Sequence, residues 1–185
     1  MTPELEAAYA EPHRRYHTAA HVESCLALLD ARQDVSPDER RLLAWTIWFH
    51  DAIYDPRGAY NEARSAELAL RELPALGASA AEAAEAARLI RLTAGHEVAP
   101  GDRLGAILVS IDLAILGAPP AEYDAYARAV REENGFVPDA AWRQGRAALL
   151  QRFLDAPVIF PDLELRRARE AQARANLARE LASLR

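Results

Sequence analysis

The segment RRLLAWTIWFHD, residues 40–51, predicts a buried helix, because its apolar residues fall on nearly every helical face. Those residues are Leu42, Leu43, Trp45, Ile47, Trp48 and Phe49. The segment ends in His50 and Asp51, where a carboxylate stands against the negative end of the helix dipole. A buried carboxylate is costly unless it is paired or coordinates a metal. Asp51 therefore requires a positive partner, and a cation is one candidate.

The rest of the chain also reads as helical, because alanine, leucine, arginine and glutamate dominate and no hairpin signal occurs. Ser36, Pro37 and Glu39 form a capping box at one helix start, and Gly117 closes another helix. We therefore predict an all-α bundle that forms a single domain over residues 1–185. The predicted helices cover 19–33, 37–50, 60–72, 79–94, 102–116, 121–133, 139–155 and 162–183.

Composition and charge narrow the function classes. The chain has 185 residues, of which 51% are hydrophobic and 27% charged, as in a globular domain. Its net charge of −6 argues against a nucleic-acid partner, which usually requires a basic surface. No apolar run approaches the roughly 18 residues of a membrane span. The single cysteine, Cys25, and an N-terminus without an apolar signal core predict a cytoplasmic protein. Oligomeric state is left open, with a homodimer among the alternatives.

Three of the five histidines fall within HRRYHTAAHVESC, residues 13–25. His13, His17 and His21 are spaced four apart, which in a continuous helix places their side chains on one face. If Thr18 caps the helix, His17 precedes it and His21 lies in its first turn. In either case two imidazoles can approach the same site.

A second isolated charge occurs in LGAILVSIDLAILG, residues 104–117, where Asp112 is the only ionisable residue. A salt bridge to an arginine is one explanation of a buried aspartate. Together with the histidines and Asp51, however, Asp112 completes a set of nitrogen and oxygen donors. Such a set suits Mn, Fe, Co, Ni or Zn as a divalent ion, with Mg as a further alternative.

The ordered residues His21, His50-Asp51 and Asp112 resemble the H…HD…D signature of the HD superfamily of metal-dependent phosphohydrolases. The stretches EPHRRYHTAAHV, WFHDAIYD, NEARSAELA, SIDLAILG and ARANLARELASL look like a small bacterial group of predicted HD phosphohydrolases. The resemblance runs over residues 11–183. It implies an HD-domain-like helical bundle, with one metal held between helices by these four residues.

The same likeness implies further roles. YHTAAH is similar to a stretch of cyclic-nucleotide phosphodiesterases whose first histidine is the general acid, which makes His17 the candidate acid. Asp51 is a candidate for orienting or deprotonating the attacking water, and Glu62 is a second candidate. The sequence departs from the group at Ser110, where a carboxylate often stands two residues before the last ligand.

Substrate contacts are expected from arginines near these motifs, because arginine binds phosphate through paired hydrogen bonds. Arg14 and Arg15 lie beside the histidines, and Arg57 lies in the loop YDPRGAYN. His96 is a candidate substrate contact, a ligand of a second and weaker metal site, or a histidine stabilised by a helix C-terminus.

These observations predict a metal-dependent phosphohydrolase, a phosphatase or phosphodiesterase, acting on a small phosphorylated substrate such as a nucleotide. A non-catalytic module that binds metal and nucleotide is the alternative. A di-iron oxygenase of the HD fold would need two more histidines between His50 and Asp112, and only His96 lies there. A purely structural helical protein would leave Asp51 and Asp112 unexplained.

Overall fold

A computed structural model describes residues 2–184, and within that range the chain folds into α-helices and two short 3₁₀ segments without a β-strand. The α-helices are α1 (Pro3–Tyr9), α2 (Ala19–Ala31), α3 (Pro37–Phe49), α4 (Asn61–Glu72), α5 (Ala80–Leu92), α6 (Arg103–Asp112), α7 (Pro120–Glu133), α8 (Asp139–Asp155) and α9 (Leu163–Leu184). The 3₁₀ segments are Leu73–Leu76 and Leu113–Gly117. The predicted all-α class is confirmed.

Helix α3 lies at the centre of the bundle and contacts α2, α4, α5 and α6. Its residues Leu43, Ile47 and Phe49 are almost completely buried, as the apolar segment predicts. Buried side chains from Leu5 in α1 to Leu181 in α9 belong to one hydrophobic core. Helix α9, which is rich in arginine, packs against α8 and the second 3₁₀ segment and so is part of the bundle.

Several helix ends differ from the predicted ones for local reasons. The capping box of Ser36 and Glu39 is present, whereas Thr18 occupies the N-cap of α2 without a capping hydrogen bond from its side chain. The sequence did not predict α1, which Thr2 caps by accepting the Leu5 N–H. The predicted helix 102–116 changes to 3₁₀ geometry after Asp112, so this residue ends α6.

Gly117 ends the second 3₁₀ segment, but close packing rather than a left-handed backbone explains the glycine. Its φ angle is not positive. A β-carbon at this position would lie 2.7 Å from the Arg169 carbonyl oxygen of α9. Because that distance is far shorter than a normal contact, only glycine permits this approach.

Among residues 2–184, no single helix is long and apolar enough to cross a membrane. The segments Arg103–Gly117 and Pro120–Glu133 meet the length and composition criteria only as a pair, with a bend of 103° between them.

Candidate metal centre

The ends of three helices bring two histidine and two aspartate side chains, all of types that can bind metals, to one point. His21 lies in the first turn of α2, and Asp112 is the last residue of α6. His50 is the C-cap of α3, and Asp51 follows it. His21 Nε2 lies 3.2 Å from His50 Nε2 and 3.2 Å from Asp112 Oδ1. Asp51 Oδ2 lies 3.1 Å from His50 Nε2 and 3.9 Å from His21 Nε2. The four residues that the resemblance assigns to a metal are therefore neighbours.

The hydrogen bonds of the two imidazoles fit metal binding. His50 Nδ1–H donates to the Ile47 carbonyl oxygen at 2.7 Å, which leaves the neutral ring with a lone pair on Nε2. A histidine that binds a metal usually donates its other ring N–H in this way. In the second imidazole, that of His21, the Nδ1 atom lies 3.0 Å from the Tyr16 hydroxyl. Donor atoms of His21, His50 and Asp51 all lie within 4.8 Å of one another. Two imidazoles and two carboxylates suit a divalent transition ion.

The electrostatics of the centre keep both carboxylates ionised. Burial acts to raise the pKa of Asp112, but hydrogen bonds from the surrounding histidines lower this pKa well below its usual value. Burial also opposes ionisation of Asp51, but the neighbouring His50 lowers the pKa of this carboxyl as well. Burial acts to lower the pKa of His50, but the two carboxylates outweigh it and raise that pKa well above normal, so a metal ion that binds at Nε2 must displace a proton. The ionised carboxylate is the form that binds a cation.

His17 belongs to a neighbouring assembly that is built on Glu133. His17 Nδ1–H donates to Glu133 Oε2 at 2.7 Å, and the Tyr54 hydroxyl donates to the same oxygen at 2.9 Å. The other carboxylate oxygen accepts the backbone N–H groups of Arg15, Tyr16 and His17. The Tyr54 ring stacks on the His17 ring with 4.2 Å between centroids. The position and orientation of the His17 ring are therefore fixed on two sides.

The charges of this assembly stabilise each other. Burial acts to raise the pKa of Glu133, but the hydrogen bond from His17 lowers it to about 2. Burial acts to lower the pKa of His17, and the bond to Glu133 reverses this and raises the pKa above 6.5. The pair is therefore an ion pair at mildly acidic pH.

Sequence reasoning missed Glu133. It lies 116 residues from His17, and in REENG it looks like an exposed helix end. A usable signal was the spacing along α7, because Tyr123, Tyr126, Val130 and Glu133 recur at helical intervals. Glu133 thus falls on the apolar face, and it is buried together with Tyr123. An acidic residue on such a face needs partners.

His96 also reaches the centre, in a strained conformation. Its φ of 58° lies in the left-handed region, which costs roughly 1–2 kcal/mol for a residue with a side chain. Its Nε2–H donates to Asp112 Oδ2 at 3.3 Å. Its Nδ1 is buried and has no hydrogen-bond partner within residues 2–184. His96 follows the C-terminus of α5, and its backbone N–H donates to the Leu92 carbonyl. Its position is therefore that of a helix-end histidine, as one alternative expected, but its ring contacts Asp112.

Arg14 was predicted to contact phosphate, and the structure corrects this prediction. It is 3% exposed, and its guanidinium donates to backbone carbonyls of His17, Asp51 and Ala52. Its Nε–H donates to Glu11. Because these acceptors occupy the guanidinium, Arg14 ties the segment before α2 to the segment after α3 and presents no free donor pair to a phosphate.

The structure does not place Arg57 or Glu62 among the converging ligand atoms. Arg57 is exposed and lies over the Phe136 ring at 4.4 Å from its centroid. Glu62 is partly exposed in the first turn of α4. Ser110, where a further carboxylate was expected, is buried and accepts the Asp162 N–H at 2.9 Å. That position anchors the chain just before α9.

A cavity of about 520 Å³ adjoins the centre between α2 and the second 3₁₀ segment. His21 and Asp112 line it, together with Tyr16 and two arginines, Arg15 and Arg169. Its other walls are mostly apolar but include Thr18, Ser24 and the acidic Glu122, whereas His17, His50 and Asp51 do not line it. Its volume is in the range of small-molecule sites, which span roughly 300–1,000 Å³.

The chain was compared with protein-family models, curated proteins and solved structures, and none of the three comparisons gave a match.

Proposed function

We propose that this protein is a metal-dependent phosphohydrolase of the HD type that cleaves a small phosphate ester. The observation that carries the proposal is the convergence of two imidazole Nε2 atoms and two carboxylates beside a third histidine held by a buried glutamate. The ordered sequence signature and the all-α bundle support the same proposal. The neighbouring cavity has the size of a small-molecule site.

In this proposal the metal is a single divalent transition ion bound by His21, His50, Asp51 and Asp112. When bound, such an ion supplies Lewis-acid polarisation of a phosphoryl oxygen and lowers the pKa of a water molecule. The low pKa of Asp51 makes its carboxylate a poor proton acceptor near neutral pH. Asp51 therefore acts as a ligand that orients water rather than as the general base.

His17 supplies the proton for the leaving group. Hydrolysis forms a bond from the water oxygen to phosphorus and breaks the bond from phosphorus to the ester oxygen. The departing oxygen then needs a proton, and a histidine titrates in the range this transfer requires. Glu133 holds Nδ1–H of His17 and raises its pKa, so the protonated ring keeps its Nε2–H available for donation.

The negative charge of the substrate requires cations near the centre. Arg15 and Arg169 line the cavity that borders His21 and Asp112. Their Nη1–H groups donate to backbone carbonyls, but within residues 2–184 Nη2 of each makes no hydrogen bond, so these two arginines replace Arg14 as the candidates for phosphate contact. A nucleotide is the substrate class that we place first, because its phosphate can meet these arginines while its organic part contacts the apolar walls. The proposal includes no membrane and no nucleic-acid partner.

The experiment is a hydrolysis screen with protein that has been stripped of metal and reloaded with Mn²⁺, Co²⁺, Ni²⁺ or Zn²⁺. The substrates are p-nitrophenyl phosphate, bis(p-nitrophenyl) phosphate and a panel of nucleotides, which separates monoesterase from diesterase activity. We expect metal-dependent turnover that falls by 10²–10⁴-fold in His17→Gln, the range of general acid catalysis.

His13→Asn is the matched control, because His13 is half exposed and contacts the Tyr54 backbone without reaching the ligand atoms. It should leave turnover unchanged. Metal binding and nucleotide binding without turnover under all four metals would contradict the proposal. That result would favour the alternative of a non-catalytic nucleotide-binding module.

A further inference from the structure

We infer that His96 is a positioning residue of the metal centre, which fixes Asp112 by holding its Oδ2 oxygen through Nε2–H. This inference rests on the metal centre of the proposed function. It assigns His96 a role different from substrate contact or ligation of a second ion.

The two oxygens of Asp112 have different neighbours. Oδ1 lies 3.2 Å from His21 Nε2 and 3.5 Å from His50 Nε2, so it faces the centre. Oδ2 lies 3.3 Å from His96 Nε2. A carboxylate that is held at one oxygen cannot rotate freely about its terminal bond. His96 therefore selects the orientation in which Oδ1 points at the imidazole pair.

The backbone turn at His96 places its side chain next to Asp112. Helix α5 ends at Leu92, and the His96 N–H donates back to the Leu92 carbonyl at 2.8 Å. In this turn His96 adopts the left-handed conformation. Gly95, the residue directly before it, does not have a positive φ. A glycine at position 96 would adopt this turn without strain. The chain instead places an imidazole there, opposite the last residue of α6.

The His96 ring makes few other favourable contacts. With Nε2–H donated to Asp112, the buried Nδ1 is an acceptor that finds no donor in the described part of the chain. The nearest aromatic contact is a tilted Phe153 ring, 6.0 Å away between centroids. Strained backbone and an unpaired buried nitrogen are both unfavourable, and such features concentrate at functional sites. Within residues 2–184, the contact with Asp112 is the one hydrogen bond of the His96 side chain, and it is the interaction that the strained backbone makes possible.

The test uses the full chain stripped of metal, with Co²⁺ as the probe. The variants are His96→Gly, which removes the ring and the strain, and His96→Asn, which keeps a side chain that tolerates the left-handed region. Tyr60→Gly is the matched control, because Tyr60 is the other non-glycine residue with positive φ among residues 2–184, at 70°, and it is 76% exposed. The readouts are Co²⁺ stoichiometry, the dissociation constant by chelator competition, the visible spectrum of bound Co²⁺, and the Tm of the metal-free protein.

We expect the parent to bind about one equivalent of Co²⁺. Both His96 variants should bind one equivalent with a dissociation constant raised 10–100-fold, as for other residues that hold a ligand, and with an altered visible spectrum. The Tm of metal-free His96→Gly should be no lower than that of the parent. Tyr60→Gly should bind Co²⁺ as the parent does, with an equal or higher Tm.

Three results would overturn the inference. An unchanged dissociation constant in both variants would show that His96 does not position Asp112. A Tm lower by more than about 4 °C in His96→Gly, with unchanged affinity, would make the residue structural. Two equivalents in the parent and one in the variants would make His96 itself a ligand.

Failure of the premise gives a different pattern. A parent that binds no Co²⁺ refutes the centre, and the inference falls with it. Weakened Co²⁺ binding in the variants, without hydrolysis of any ester by the parent, supports the inference while refuting the phosphohydrolase.

Discussion

Glu133→Gln should remove a pH-dependent part of the stability that is specific to the His17–Glu133 pair. The folded-state pKa of Glu133 is lowered to about 2 from 4.5, so its carboxylate stabilises the fold above pH 4.5. That stabilisation is lost as the pH falls toward the folded value. A carboxyl pKa lowered from 4.5 to about 2 stabilises the folded state by about 3 kcal/mol at pH 6 and about 1 kcal/mol at pH 3. The His17 contribution has the opposite sign, because its raised pKa stabilises the fold below pH 6.5 and is lost as the pH rises through the folded value.

The assay is urea unfolding of the metal-free parent and Glu133→Gln at several pH values, followed by circular dichroism. The difference in unfolding free energy between the two proteins should be largest between pH 4.5 and 6.5, and should shrink on both sides of that window. The glutamine oxygen can still accept the three backbone N–H groups, whereas its NH2 group cannot accept from His17 or Tyr54. The loss of those two bonds lowers stability by an amount that does not follow the Glu133 titration, so the pH-dependent part of the difference reports the charge. In addition, NMR titration should show a lower His17 pKa in the variant. A free-energy difference that is constant from pH 3 to pH 9 would refute the reasoning, because it would make Glu133 a purely structural acceptor.

Three further substitutions test the packing that holds the centre in place, each by urea unfolding. Gly117→Ala should lower the unfolding free energy by about 1–3 kcal/mol, because the new methyl group would clash with Arg169. Gly145→Ala should instead raise it by about 0.5–1 kcal/mol, because a β-carbon there would meet no atom within 4 Å beyond the backbone of its own helix. Equal effects of the two would contradict the close approach. Asn176→Ala should cost about 2–4 kcal/mol, because the buried Asn176 amide donates to two backbone carbonyls of the segment before α7. A loss below about 1 kcal/mol would mean that water replaces the amide.

The sequence predicts much of the fold because its strongest signals are local. The apolar run 42–49 and the capping box at Ser36 specify α3 without help from distant residues. Helix α1 was missed because it has only seven residues. The change to 3₁₀ geometry after Asp112 was missed because the apolar composition continues unchanged through it.

At the site, the residue types in the sequence indicated the metal-donor side chains. The residues that hold those side chains in place depend on tertiary contacts. The importance of Glu133 depends on a contact between α7 and the segment before α2, which no local pattern encodes. Arg14 looked like a phosphate ligand because it adjoins the histidines, and only the fold shows that carbonyl groups surround its guanidinium. The strain at His96 is likewise invisible in the sequence, since a glycine stands next to it.

The central claim is that His21, His50, Asp51 and Asp112 form a metal-binding centre, and elemental analysis tests it most directly. The parent, His50→Ala and the control His13→Asn are each stripped, incubated with Mn²⁺, Co²⁺, Ni²⁺ or Zn²⁺, and freed of excess ion. We predict about one equivalent of metal in the parent and in His13→Asn, and none in His50→Ala, with helix content largely unchanged in all three. Equal metal content in the parent and His50→Ala, or no metal in the parent with any of the four ions, would contradict the claim.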